Sequence, residues 1–158
     1  MLTHHCLPVS LSLVSTDLPI LATVETSATL YKKDQHWYHL LINQPPLTDE
    51  AIVETLNREK NHNQLLWLEI SPYRVIMTMQ GKGNIAYRHF WEQGVFGVSR
   101  FWLNAYNPDN THSFRLRNYT RNLKVLGDSL PEYLRVEYEL WSDKLQLGHY
   151  VLHVEIHH

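Results

Sequence analysis

Between Leu18 and Tyr31 the apolar Ile20, Ala22, Val24, Ala28 and Leu30 alternate with Thr23, Glu25, Ser27 and Thr29, a period of two that predicts a half-buried strand over 20–31. A second apolar run, His36 to Ile42, follows the polar Lys32-Lys33-Asp34-Gln35, so the two read as a hairpin ended by Pro45-Pro46. Thr48 and Asp49 can then cap a helix, Glu50 suits its first turn, and Ile52, Val53 and Leu56 give an apolar stripe at helical spacing. A helix over 48–60 is expected. Leu65 to Met79 is strand-like on both sides of Ser71-Pro72, where proline enforces an edge, a bend or a break. After the Gly81-Lys82-Gly83 turn, a helix over 84–93 would place Tyr87, Phe90 and Trp91 on one face and stop at Gly94. Residues 95–106 form an aromatic-rich strand before the turn Asn107-Pro108-Asp109-Asn110.

The last third reads as a three-stranded antiparallel meander over 112–125, 131–142 and 146–157. In its second run Leu134, Val136, Tyr138 and Leu140 alternate with Arg135, Glu137 and Glu139, and in its third Tyr150, Leu152, Val154 and Ile156 alternate with His149, Val151, His153 and Glu155. The element order predicts an α+β fold: one predominantly antiparallel sheet, strongly curved or partly closed, with two helices packed against it. A single domain spanning 1–158 is expected, with residues 1–8 as a flexible N-terminus.

Composition narrows the classes. With 44% hydrophobic and 19% charged residues, this is ordinary globular material rather than a disordered chain. The lone Cys6 excludes an internal disulfide framework and any zinc site needing two thiolates, which fits a reducing cytosol. Neither a signal-like N-terminus nor a membrane-length apolar run is present, so a cytoplasmic protein without membrane insertion is expected.

The net charge of −2 conceals a segregation: residues 74–124 carry eight basic side chains against Glu92 and Asp109, a net of +6, while each flanking segment carries −4. Within that basic third, strand alternation puts Arg115, Arg117, Tyr119 and Arg121 on one face and Phe114 and Leu116 on the other. Planar, permanently charged guanidiniums suit an anion site. The competing arrangement is cross-strand pairing with Glu137 and Glu139. Arg88 and Arg100 extend the basic set, and ten aromatic residues between Tyr73 and Tyr119 accompany it. Basic and aromatic residues together are one signature of a nucleic-acid surface, but a pI of about 6.6 argues against that partner.

Catalytic signatures are incomplete. Gly97-Val98-Ser99-Arg100-Phe101 lacks the second glycine of a nucleophile elbow. His149, His153 and His157 recur every four residues, which on a strand separates neighbours by roughly 13 Å, too far to share a metal. One acid/base arrangement survives, His149 lying across from Glu137 or Glu139. No cofactor or metal is implied. The expected function is a non-catalytic binding or assembly module that docks an acidic protein partner through Arg88, Arg100, Arg115, Arg117, Tyr119 and Arg121. The alternative is a small enzyme or binding protein for an anionic small molecule, with an Arg-lined pocket and His149 paired to a glutamate.

Overall fold

A computed structural model describes residues 3–16, 21–44, 64–80, 85–103 and 112–158. Ten strands run in chain order: β1 Thr3–Ser15, β2 Leu21–Asp34, β3 Trp37–Gln44, β4 Gln64–Ile70, β5 Arg74–Gln80, β6 Ile85–Glu92, β7 Phe96–Leu103, β8 His112–Leu126, β9 Tyr133–Ser142 and β10 Leu145–Ile156. Each pairs antiparallel with the next, and β10 pairs antiparallel with β1, closing an up-and-down barrel. An even strand count makes this closure antiparallel without a crossover, and closure removes both sheet edges.

The α+β expectation is therefore overturned: the described residues form an all-β barrel. The helix expected over 84–93 is β6, paired with β5 from Arg74↔Glu92 to Met79↔Tyr87 and with β7 from Ile85↔Leu103 to His89↔Ser99. The helix expected over 48–60 lies outside the described residues. No described residue belongs to a helix long and apolar enough to cross a membrane. The expected strands 20–31 and 36–42 are the β2–β3 hairpin, the Ser71-Pro72 break separates β4 from β5, and the meander is β8–β9–β10. Residues 3–8, read as a flexible terminus, are the first half of β1. Pro8 sits beyond the last β1–β10 pair, Val9↔Ile156, so its missing N–H leaves no gap in that ladder.

The core is the barrel interior. Val9, Leu11, Leu30, Leu40, Ile42, Leu68, Ile70, Val75, Met77, Trp91, Leu134, Val136, Leu152 and Val154 point inward from successive strands and are buried. One end is closed by residues 127–132, which leave β8 at Gly127 (φ 144°) and reach across the opening, where the Tyr38 hydroxyl on β3 donates to the Ser129 carbonyl at 2.7 Å. Leu130 packs on the core beneath this bridge.

Candidate functional site

On the outer wall of β6, β7 and β8 the register lines up three arginines: Arg88 opposes Arg100, and Arg100 opposes Arg115. Adjacent strands lie about 4.8 Å apart, so the row spans roughly 10 Å across the sheet. Like charges directly opposite each other destabilise a sheet, and little offsets them here. Arg88 Nη2 stands 3.9 Å from Glu69 Oε1, and the Arg100 guanidinium lies 5.5 Å from the centre of the Trp102 ring. Arg115 has no ionic partner among the described residues. Beside the row, Arg117 donates from Nη2 to the Asp143 carbonyl at 2.9 Å and caps the Phe96 ring at 5.0 Å, while Phe96 packs on Tyr119 at 5.0 Å. Phe96 and Val98 remain 55% and 45% exposed, giving the cationic row an apolar margin.

Arg121 belongs to a different group. It occupies the bulge between Thr120 and Asn122, and its Nε lies 3.5 Å from Glu139 Oε2 and 3.9 Å from Glu137 Oε2. Glu137 also meets Arg135 Nη2 at 3.1 Å and His149 Nε2 at 3.2 Å. Partial burial pushes the Glu137 carboxyl up, but the Arg135 and His149 side chains outweigh it and hold the group below its ordinary range. Of the three arginines expected to act together, the structure thus leaves Arg115 and Arg117 facing solvent and commits Arg121 to carboxylates. His149 opposes Glu139 in register yet makes its close contact with Glu137, all on the convex outer wall.

The inward face of the same strands holds a polar cluster that sequence reading missed. Asn118 Nδ2 donates to Ser99 Oγ at 2.8 Å, and Ser99 Oγ lies 2.7 Å from His89 Nδ1. Ser99 Oγ thus accepts from the Asn118 amide and shares a second hydrogen bond with His89 Nδ1, whose direction follows the imidazole tautomer. Burial lowers the His89 pKa from 6.5 to about 3, so the imidazole is neutral. A base this weak is a poor proton acceptor at neutral pH, and Ser99 lies in mid-strand, fully buried, rather than on an elbow. The His89 ring stacks on Trp91 at 5.0 Å and 7° and contacts Tyr138 and Phe101 at 5.7 and 5.6 Å. The available signal was the alternation Tyr87, His89, Trp91, which needs His89 to be counted among the inward residues.

No family model matches the sequence, and no curated protein matches it either. The chain is similar in structure to the ywiB protein from Bacillus subtilis, with a TM-score of 0.58 and 11% identity over 99% of this chain and 94% of that one, a likeness of fold.

Proposed function

We propose that this barrel is a non-catalytic binding module of the reducing cytosol that docks an acidic protein partner on the outer wall of β6–β8. The observation that carries this reading is the directly opposed row Arg88–Arg100–Arg115, a like-charge arrangement that a row of partner carboxylates would convert from a liability into complementary pairing. Arg117, Phe96, Tyr119 and Trp102 supply the arginine and aromatic contacts typical of interface hot spots. The acidic residues flanking the row, Glu69 and Glu92, and the net charge of −2 disfavour a long polyphosphate ligand.

The alternative, an Arg-lined pocket for a small anion with His149 as proton donor, has weaker support. It needs a concavity, whereas these arginines stand on the outside of a closed barrel and Glu137 is shared among Arg121, Arg135 and His149.

The test is a titration with poly-L-glutamate, alongside affinity capture from lysate, for the wild-type protein and an Arg88/Arg100/Arg115→Gln variant, at low and high salt, with and without nuclease. The expected result is binding of poly-L-glutamate and of a defined acidic protein, both lost in the variant and in high salt and both indifferent to nuclease. Binding unchanged in the variant, or captured material released by nuclease, refutes the reading.

A further inference from the structure

A groove of about 570 Å³ opens on the outside of the barrel, between the tip of the β2–β3 hairpin and the β4–β5 turn. That volume falls within the range of small-molecule sites, roughly 300–1,000 Å³. Asp34, Gln35 and Trp37 line it from the hairpin, and Glu69, Arg74 and Ile76 from β4 and β5. None of these belongs to the arginine row on β6–β8.

The walls are held by the protein's own hydrogen bonds. Gln35 and His36 turn the chain between Asp34 and Trp37, which oppose each other in register, and Asp34 Oδ1 accepts the Gln35 N–H at 2.7 Å. Across the groove, the Ser71 N–H and hydroxyl both donate to the Arg74 carbonyl at 2.9 Å and close the β4–β5 turn. Trp37 is 44% exposed, yet its ring is braced by His39 at 5.8 Å, and His39 is fixed in turn because its Nδ1 accepts the Trp67 indole N–H at 3.1 Å. A braced but exposed ring loses little freedom when a ligand stacks on it.

The charges in the groove are mixed. Asp34 has no ionic partner among the described residues, Glu69 meets Arg88 only at 3.9 Å, and Arg74 lies 3.5 Å from Glu92 with its guanidinium 5.1 Å from the centre of the Phe90 ring. An anion entering here meets two carboxylates, and a cation meets the Arg74 guanidinium. A purely apolar ligand would desolvate these groups and offer them no hydrogen bond. An extended peptide finds no sheet edge to join in a closed barrel. The ligand that satisfies all of these conditions is neutral, rich in both donors and acceptors, and apolar on one face.

We propose that the groove binds a neutral oligosaccharide, with one pyranose ring stacked by its C–H face on Trp37. The polarised C–H bonds of that face meet the negative face of the indole. The sugar hydroxyls donate to the Asp34 and Glu69 carboxylates and accept from Arg74 and the Gln35 amide.

The probes are maltotriose, cellotriose and tri-N-acetylchitotriose, titrated into the protein by calorimetry. At least one should saturate at one-to-one stoichiometry with a Kd below about 1 mM, and saturation-transfer NMR should show the strongest contacts on the C–H protons of one ring face. Trp37→Ala should weaken binding at least about tenfold, whereas Trp37→Phe, which keeps an aromatic face, should stay within about threefold of wild type. Asp34→Asn, nearly isosteric, should weaken it about tenfold by exchanging a charged acceptor for a neutral one, and it keeps the test decisive if Trp37→Ala disturbs the hairpin. An Arg100/Arg115→Gln variant should bind the sugar as the wild type does, which separates this groove from the docking wall. No saturation by any of the three sugars below about 10 mM, unchanged binding in Trp37→Ala and Asp34→Asn, or displacement of the sugar by acetate or tetramethylammonium at constant ionic strength overturns the proposal.

Discussion

Acidification should destabilise this barrel well above the carboxylate range, and His89 is the reason. The unfolded chain protonates an ordinary imidazole near pH 6.5, but folded His89, desolvated between Trp91, Phe101 and Tyr138, does so only at about 3. Protons therefore bind the unfolded state preferentially, and stability falls as pH drops from about 7.5 through 6.5 toward 3. Each pH unit in that window is worth about 1.4 kcal/mol, so moving from pH 7.5 to pH 5 costs about 2 kcal/mol at this residue. For a chain of this size that is about 4–8 °C in Tm. His39, also lowered by burial, adds a loss of the same sign, whereas Glu137, held below its usual range, adds one only below about pH 4.5. The comparison is thus between wild type and His89→Gln, which keeps a hydrogen-bonding side chain beside Ser99 and abolishes the titration. Urea unfolding at pH 7.5, 6 and 5 should show wild-type stability falling more steeply than the variant's by about 2 kcal/mol across the series, whatever their difference at pH 7.5. Parallel profiles would refute the assignment of His89 as a buried neutral imidazole, as would an NMR titration in which every histidine shifts between pH 8 and 5.

Two further outcomes test the architecture. Arg115→Gln relieves its repulsion with Arg100 and removes no favourable contact seen among the described residues, so it should raise Tm by about 1–2 °C at low salt. Scanning calorimetry at two ionic strengths checks this: the gain should fade above about 0.5 M salt, where screening has already quenched the repulsion. Gly97→Ala would drive a Cβ into the Phe90 carbonyl oxygen and to 3.0 Å from Asn118 Oδ1. A loss of about 1–3 kcal/mol in urea unfolding is expected, and a neutral result would mean that β6 and β7 are not packed as closely as described.

The residue pattern revealed most strands, passed over β1 and misled at β6. In β6, Arg88 and Glu92 face out and Tyr87, His89 and Trp91 face in, an ordinary period of two. Phe90 disguises it, because it lies on the outer wall with the Arg74 guanidinium 5.1 Å from its ring centre. An aromatic on the polar face, together with a polar histidine on the inner one, turns the strand pattern into an apparent i, i+3, i+4 helical stripe. β1 went unread: Leu7, Val9, Leu11 and Leu13 alternate with Pro8, Ser10 and Ser12, but residues 1–8 were expected to be a flexible terminus, and the partners β2 and β10 sit at opposite ends of the chain order. Barrel closure is such a long-range pairing, and local periodicity carries no information about it. The arginine face of β8 was readable from alternation alone. Its alignment with Arg100 and Arg88 needed the register across three strands, and the register also decides which arginines meet carboxylates.

The same register explains why an unfavourable charge row can stand in this sheet. Along β6, β7 and β8 each arginine adjoins an inward residue of the interior: Arg88 next to His89, Arg100 next to Ser99, Arg117 next to Asn118. A slip of one residue between β7 and its neighbours would turn β7 over and carry Arg100 into the uncharged interior while expelling Ser99 and Phe101. Burying an unpaired guanidinium costs several kcal/mol, far more than the screened repulsion between exposed arginines on the outer wall. The eight unbroken pairs from Phe96↔Tyr119 to Leu103↔His112 are therefore enforced from both faces at once, by the Ser99–His89–Asn118 hydrogen bonds within and by the exclusion of arginine from the core. The charge row on the outer wall thus also fixes the pairing that aligns it.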